Sequence, residues 1–217
     1  MIKDESIKSI SEHLKEIPKK WDGKKSILDM RDNGGRNWRQ MEWIGWYFEF
    51  LCERHLKEIM EFHKIRYGRT SFDGFLEVPF DFKTHISNSK VKESVINDTE
   101  AILKTLQKYG YIMIIMVLGK AVYNDSDRTF QNWHEKIKGG KSKYEEERIK
   151  RKAPSRLRKT EFDIEEIIIF RFDENTMKKC KGFQTGFRNS NGNPRRPKVA
   201  LNPVLLANKE IIRRIKF

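Results

Sequence analysis

The sequence Tyr111-Ile-Met-Ile-Ile-Met-Val-Leu118 decides the fold, because every position in it is apolar. A strand that is buried on both faces has such a continuous apolar run, whereas a half-exposed strand alternates apolar and polar residues. Upstream of it, Asp98 or Thr99 can cap a helix that continues to about Tyr109 and ends at Gly110. A helix that leads into a buried strand is typical of a crossover unit, so this region predicts an α/β fold.

The patterns on either side of this unit predict a mixed sheet flanked by helices. Apolar residues at helical spacing indicate a short helix over 3–17 and a long one over roughly 38–63, for which Asn37 is the expected cap. Two or three antiparallel strands are predicted within 65–86, and single strands over 164–172 and 199–201.

Two polar segments lie outside this core pattern. The stretch 124–161 is rich in Lys, Arg and Glu and predicts a helix, a loop at Gly139-Gly140 and a second helix, all projecting from the core. A loop rich in Asn, Gly and Arg follows over 184–198. We therefore expect one domain over 1–217, with a core at about 37–120 and a basic helical and loop insertion at about 124–200 embedded in it.

Composition narrows the class of function. Lys and Arg total 45 against 31 Asp and Glu, which gives the 217-residue chain a formal net charge of +14. Such a surplus favours a polyanionic partner, because a cation placed near a phosphate releases condensed counterions. The two cysteines provide neither a disulfide framework nor a zinc spacing, which favours a reduced, intracellular setting. The longest apolar run, 111–118, is far shorter than the roughly 20 residues that span a bilayer, so we expect no membrane role.

The segment Phe72-Asp73-Gly74-Phe75-Leu76-Glu77-Val78-Pro79-Phe80-Asp81-Phe82-Lys83-Thr84-His85 carries the candidate chemistry. Asp73, Asp81 and Lys83 have the same parity, so they face one side of a strand. In one straight strand Asp73 and Asp81 would lie about 26 Å apart, too far to share a ligand. A hairpin centred near Val78 would set Asp73 opposite Lys83 and diagonal to Asp81, which brings all three side chains together.

Two carboxylates and a lysine on one face suit the hydrolysis of a phosphodiester. Asp73 and Asp81 can hold Mg²⁺, whose oxygen shell is completed by waters and a phosphate oxygen. Bound Mg²⁺ lowers the pKa of a coordinated water and orients it for attack. Lys83 can then stabilise the charge that develops on the phosphate.

This segment resembles the PD-(D/E)xK nuclease signature. Asp73 stands at the first acid, with Phe72 where the family usually has Pro, and Asp81-Phe82-Lys83 matches D-x-K; Glu77 is a fallback for the first acid. The family often places a glutamate on the helix before the sheet. Gly45-Trp46-Tyr47-Phe48-Glu49 resembles that element, which makes Glu49 a candidate, and Glu42, about 20° off the same helix face, is the alternative.

Further blocks resemble type II restriction endonucleases. They are 37–43, 81–85, 133–140, 153–159 and 186–195, and they run through most of the chain. The resemblance implies a PD-(D/E)xK restriction-endonuclease-like core, dependence on Mg²⁺, and 5′-phosphate and 3′-hydroxyl products. It also implies a homodimer that acts on a short palindromic site in double-stranded DNA, a partner methyltransferase, and a prokaryotic, cytoplasmic setting.

The basic segments independently favour contact with DNA. Lys150-Arg151-Lys152 begins a cationic cluster suited to phosphates, and Arg and Asn side chains of the loop 184–196 suit the edges of guanine and adenine. A solvated charged helix and a flexible turn would show similar compositions. The residues that we expect to contact DNA are Arg36, Arg39, Lys141, Ser155, Arg156, Arg158, Lys159, Gln184, Arg188, Asn189, Asn191, Asn193, Arg195 and Arg196.

Other functions remain open at this point. A structure-selective or repair nuclease would use the same core, and a non-enzymatic basic DNA-binding protein would carry these acids only as structural groups. His85 has the same strand parity as Lys83 and could support the site, although a packed or solvent-exposed histidine is the more common role of such a residue.

Overall fold

The structure is a computed structural model that describes residues 2–62, 72–188 and 193–217. Its helices are α1 (Asp4–Leu14), α2 (Gly23–Asp32), α3 (Trp43–Leu56), α4 (Thr99–Tyr109), α5 (Thr129–Ile137), α6 (Lys143–Lys150) and α7 (Glu174–Met177), with 3₁₀ turns at Pro203–Leu205 and Asn208–Glu210. Its strands are β1 (Lys20–Asp22), β2 (Glu61–Phe62), β3 (Gly74–Leu76), β4 (Val78–Ile86), β5 (Ser94–Asp98), β6 (Ile112–Val122), β7 (Glu161–Phe172), β8 (Lys181–Phe183), β9 (Lys198–Leu201) and β10 (Ile211–Lys216).

The main sheet is mixed and runs in the order β1-β7-β6-β4-β3-β2, with β10 also paired to β7. β4 and β6 are parallel, and the chain passes between them through β5 and α4. β6 and β7 form the longest antiparallel pair, with a register shift between Leu118 and Gly119. The fold is therefore α/β with a mixed sheet flanked by helices, as the sequence predicts.

Both faces of β6 are buried, which confirms the interpretation of the apolar run. Met113, Ile115 and Val117 pack in a cluster with α1, α2 and α3, whereas Ile112 and Ile114 pack in a second cluster with α4 and β9. Since each buried side chain of this size contributes roughly 1.5–3 kcal/mol, this strand is a major source of stability. A small sheet, β5-β9-β8, lies on the same side as the second cluster.

The crossover helix α4 also agrees with the sequence prediction. It follows Asp98 and ends at Gly110, which has the left-handed φ of 78° that glycine tolerates, and the Gly110 N–H donates to Leu106 O. Leu106 and Ile102 lie on its buried face. The buried face of the helix therefore packs against the first residues of β6.

The helix predicted over 38–63 is shorter at both ends, because α3 covers only Trp43–Leu56. Asn37 is not its cap: the residue before the helix is Glu42, and Asn37 O instead accepts the Gln40 N–H in a preceding turn. The helix predicted over 3–17 ends at Leu14. The sequence pattern missed the elements β1, α2, β5, α7, β8 and β10.

The two predicted helices are present as α5 and α6, joined across Gly139 and Gly140. The prediction that both project from the core is wrong for α5, because Phe130 is buried in the cluster of α1, α2 and α3 with Trp133 and Ile137 packed against it. A buried polar network holds the two helices together: Gln131 Nε2 donates to Glu135 and Glu145, at 2.8 and 3.0 Å. Arg148 pairs with Glu145 at 2.7 Å and also donates to Ala153 O. The segment 123–160 is called the arm below. Its two helices are joined by polar contacts within the segment itself.

No helix within the described ranges is long and apolar enough to cross a membrane.

Candidate active site

The hairpin of β3 and β4 sets the geometry of the candidate site. Gly74 pairs with Phe80 and Leu76 pairs with Val78, so Glu77 alone forms the turn, with φ of 58°. The Asp73 N–H continues the ladder by donating to Phe80 O at 2.8 Å. A Cβ at Gly74 would come within 2.5 Å of Met60 Sδ, so a larger residue there would require the Met60 side chain to move.

The turn centre differs by one residue from the sequence prediction. With Glu77 rather than Val78 at the centre, Asp73 stands opposite Asp81 and diagonal to Lys83, the reverse of what we expected. Glu77 is exposed and accepts a hydrogen bond from Ser6 Oγ at 3.0 Å, so the fallback acid lies at the tip of the hairpin and not with the pair.

Asp73, Asp81 and Lys83 converge as the sequence parity predicts. Lys83 Nζ donates to Asp81 Oδ1 at 2.5 Å and lies 3.9 Å from Asp73 Oδ2. Asp73 Oδ2 also accepts the Phe82 N–H at 2.8 Å, which fixes its carboxylate against β4. The Asp81 side chain is 1% exposed, while those of Asp73 and Lys83 are 14% and 18% exposed. Asp81 is thus shielded from solvent, whereas Asp73 and Lys83 are partly exposed.

The charges of this cluster are strongly coupled. Burial, together with the neighbouring Asp73 carboxylate, raises the pKa of Asp81 well above its usual range, and Lys83 opposes that shift. Burial alone would lower the pKa of Lys83, but the carboxylates of Asp81 and Asp73 outweigh it and raise that pKa. Lys83 therefore keeps its proton, and its single charge offsets only part of the charge that two ionised acids would bring.

Of the two helix glutamates, the structure brings Glu49 to the acid pair. Burial and the Asp73 carboxylate raise the pKa of Glu49 to about 8, and Lys83 acts in the opposite direction. Glu42 lies at the start of α3, where its exposed carboxylate forms an ion pair with Lys159. The sequence left open which of the two glutamates lies near the acids, and the surroundings of the two side chains favour Glu49.

Two further residues of the site were not identified from the sequence as functional candidates. Cys52 lies one helical turn after Glu49, is fully buried, and has a pKa raised well above its usual range by burial, by Asp73 and by Glu49. Asn97 on β5 donates from Nδ2 to Asp81 Oδ2 at 3.4 Å. The spacing of three residues from Glu49 could have indicated Cys52, but no local signal connects Asn97 with Asp81.

His85 is a packed histidine. It is 5% exposed, its Nδ1 lies 2.9 Å from Ser94 Oγ, and burial lowers its pKa. It therefore supports the contact between β4 and β5.

The donor set fits a hard divalent cation. Asp73 and Asp81 offer carboxylate oxygens, the ligand type that Mg²⁺ prefers, in a place where burial leaves negative charge poorly compensated. Within the described ranges, no three His, Cys, Asp or Glu side chains are grouped closely enough to form a complete metal site. Two protein carboxylates plus waters and a substrate oxygen is the coordination that Mg²⁺ commonly adopts with phosphate substrates.

Comparisons with protein-family models, curated proteins and solved structures found no match to this chain.

The residues of the arm that were predicted to contact DNA fall into two groups. Lys141 and Arg156 are exposed. The others have protein partners: Ser155 Oγ donates to Gln131 Oε1 at 3.2 Å, and Lys159 pairs with Glu42. Arg158 is half-buried, and burial lowers its pKa although nearby acids, including Glu145, oppose the shift.

Arg36 and Arg39 lie in the exposed turn before α3, and Arg39 stacks over Trp38, with Cζ 5.1 Å from the ring centroid. In the later loop, Gln184 is half-buried with φ of 61°, and Arg188, Asn193 and Arg195 are exposed. An isolated bridge joins Arg188 to Pro194, while Arg196 contacts Asp98 at 3.4 Å. Asn189 and Asn191 lie outside the described residues.

Proposed function

We propose that this chain is a Mg²⁺-dependent endonuclease with a PD-(D/E)xK core, and more specifically a type II restriction endonuclease that cuts double-stranded DNA. The observation that carries the proposal is the convergence of Asp73, Asp81 and Lys83 from one hairpin, with Glu49 on the preceding helix near enough for the Asp73 carboxylate to raise its pKa. The order of elements supports it, because a helix, a hairpin, a crossover helix and a buried parallel strand build the sheet around that convergence.

Each side chain has a role that follows from its surroundings. Asp73 and Asp81 would hold Mg²⁺, which when bound supplies charge neutralisation and an activated water. Lys83 stays protonated beside them and can donate its N–H groups to a phosphate oxygen as negative charge builds there. Glu49, whose carboxyl group lies near Asp73, would be the proton acceptor for the attacking water.

The surface supports DNA as the substrate. The formal charge of +14 and the exposed cations Arg36, Lys141, Arg156 and Arg195 suit the phosphate backbone. We include in the proposal that Arg, Asn and Gln side chains of the loop 184–196 contact base edges and that two copies act together on a palindromic site.

A digest of mapped, unmethylated plasmid DNA tests the proposal directly. With Mg²⁺ we expect discrete fragments with 5′-phosphate and 3′-hydroxyl ends, and excess EDTA should stop the cutting because the acids then lack their cation. Cutting restricted to junctions or mismatches would instead indicate a structure-selective nuclease. Intact DNA with both Mg²⁺ and Mn²⁺, from protein that still binds DNA, would leave only the non-enzymatic alternative.

Removing two exposed cations of the arm is expected to weaken DNA binding and its dependence on salt. For the double variant Lys141→Gln, Arg156→Gln, the slope of log K against log salt concentration should fall by up to about 1.8, since each lost phosphate contact removes roughly 0.9. Filter binding or fluorescence anisotropy at several salt concentrations measures this slope. The control is Lys15→Gln, Lys104→Gln, which removes the same charge from the residue after α1 and from α4. Equal slopes for both double variants would rule out a DNA contact by the arm.

A further inference from the structure

β5 lies between the strand that carries Asp81 and the strand that follows the loop 184–198. On one side it pairs antiparallel with β9, with Asn97 opposite Val199 and Asp98 opposite Lys198. On its other side it reaches β4 through side chains. β5 is therefore the element through which the loop can affect the acid pair.

Two side chains of β5 make the contacts with β4. Ser94 Oγ lies 2.9 Å from His85 Nδ1 and donates to Thr84 O at 3.3 Å. Asn97 Nδ2 donates to Asp81 Oδ2 at 3.4 Å. Ser94 thus attaches the strand, whereas Asn97 touches the acid itself.

The contact with Asn97 holds the second oxygen of the Asp81 carboxylate. Lys83 donates to Oδ1 and Asn97 donates to Oδ2, so both oxygens are held and rotation of the carboxylate is restricted. Supporting hydrogen bonds of this kind orient metal-binding groups. The register of β5 shifts between Val95 and Asn97, and β-bulges of this kind redirect side chains near functional sites.

On the loop side, consecutive contacts lead from Arg196 to Asn97. Arg196 Nη1 lies 3.4 Å from Asp98 Oδ2, and Lys198 Nζ lies 3.8 Å from Asp98 Oδ1. Pro197 O accepts the Thr99 N–H at 2.9 Å, and Asn97 Oδ1 accepts the Asp98 N–H at 2.8 Å. A phosphate that drew Arg196 away from Asp98 would therefore alter the surroundings of Asn97.

We propose that Asn97 is a positioning residue that orients the Asp81 carboxylate, and that the Arg196–Asp98 contact couples this orientation to DNA bound at the loop. The inference rests on the proposed nuclease function. Its physical basis is a competition: phosphate and the Asp98 carboxylate both attract the same guanidinium, so DNA binding and the placement of Asp81 influence each other.

Asn97→Ala tests the positioning role. We expect kcat for plasmid cleavage to fall about 10- to 100-fold and the Mg²⁺ concentration for half-maximal rate to rise, which is the usual size of an effect on a supporting residue of a metal site. The DNA dissociation constant, measured without a divalent metal, should stay within about twofold of the parent. Ser94→Ala is the matched control, because it loosens the same strand without touching Asp81, and it should leave kcat near that of the parent.

Asn97→Asp is a second test, for the case that Asn97→Ala folds poorly. Aspartate has the size of asparagine but lacks the amide donor, so this variant should lose at least as much activity as Asn97→Ala. The coupling is tested by combining Asn97→Ala with Arg196→Gln, where the double variant should lose less activity than the product of the two single losses. The positioning role would be overturned if both Asn97 variants had the kcat and Mg²⁺ dependence of the parent, or if Ser94→Ala lost as much activity as they do. The coupling would be overturned if the loss in the double variant equalled the product of the two single losses. Failure of the parent chain to cut any DNA would instead overturn the proposed function.

Discussion

Asp81→Asn is expected to lower the rate of DNA cleavage by at least about 1000-fold and to leave DNA binding close to that of the parent. Asparagine has nearly the same shape as aspartate and still offers an oxygen to Lys83, but it lacks the negative charge that would hold a divalent cation at this buried position. A factor of 1000 corresponds to about 4 kcal/mol of lost transition-state stabilisation, the scale of a metal-ion contribution. Single-turnover cleavage and anisotropy binding, both on the same duplex, measure the two effects.

Glu77→Gln is the control for Asp81→Asn, because Glu77 lies in the same hairpin but is exposed at its turn. This variant should cut DNA at the parent rate. Added Mg²⁺ should also raise the melting temperature of the parent and not that of Asp81→Asn, since a ligand stabilises only the folded state that binds it. If Asp81→Asn kept its activity, Asp81 would have no place in the mechanism.

Gly119→Ala is expected to reduce the free energy of unfolding by about 3 kcal/mol, near the upper end for an overpacked interior. A Cβ at this position would collide with the backbone carbonyl of Asp163 and would come within 2.7 Å of the Phe162 ring. Backbone cannot move aside as the end of a side chain can, and this point is the register shift between β6 and β7. Urea unfolding followed by circular dichroism gives the change in stability.

Gly45→Ala provides the matched comparison. Nothing lies within 4 Å of a Cβ built at Gly45, which is in the first turn of α3, so alanine there should raise stability by about 0.4–1 kcal/mol by restricting the unfolded chain. Unchanged stability in Gly119→Ala would mean that β6 and β7 do not approach each other as closely as the structure has them.

The central part of the fold was predictable because its signals are local. The run 111–118 is apolar on both faces, and Gly110 directly precedes it, so both the buried strand and the end of its helix follow from neighbouring residues. The start of α3 was not predictable in this way. Trp38 and Met41 have helical spacing, but Trp38 belongs to a loop whose carbonyl lies 2.9 Å from His134 Nε2 of the arm, and Met41 is 36% exposed. Apolar spacing does not reveal a loop that is ordered by contacts with a distant segment.

In the candidate site, too, the features with local signals were predictable and those made by distant segments were not. The parity of Asp73, Asp81 and Lys83 indicates that a hairpin would bring them together, and it does. The predicted position of the turn centre was wrong by one residue, because Glu77 adopts a left-handed conformation that non-glycine residues seldom take. Asn97 reaches Asp81 only after the chain has left β4 and returned, so its role depends on tertiary structure that no local pattern encodes.

The connection between β6 and β7 has a consequence for protein engineering. The arm joins the two strands with the most extensive pairing, and its helices are held by a network of their own around Glu145. Doubling the length of a flexible connection costs only about 0.6 kcal/mol of closure entropy. The base of the arm has to be kept, because Phe130 is buried in the cluster of α1, α2 and α3 and Lys159 O accepts the Trp43 Nε1–H. The exposed part of the arm around Gly139-Gly140 is therefore the place where residues can be inserted or exchanged with little loss of stability.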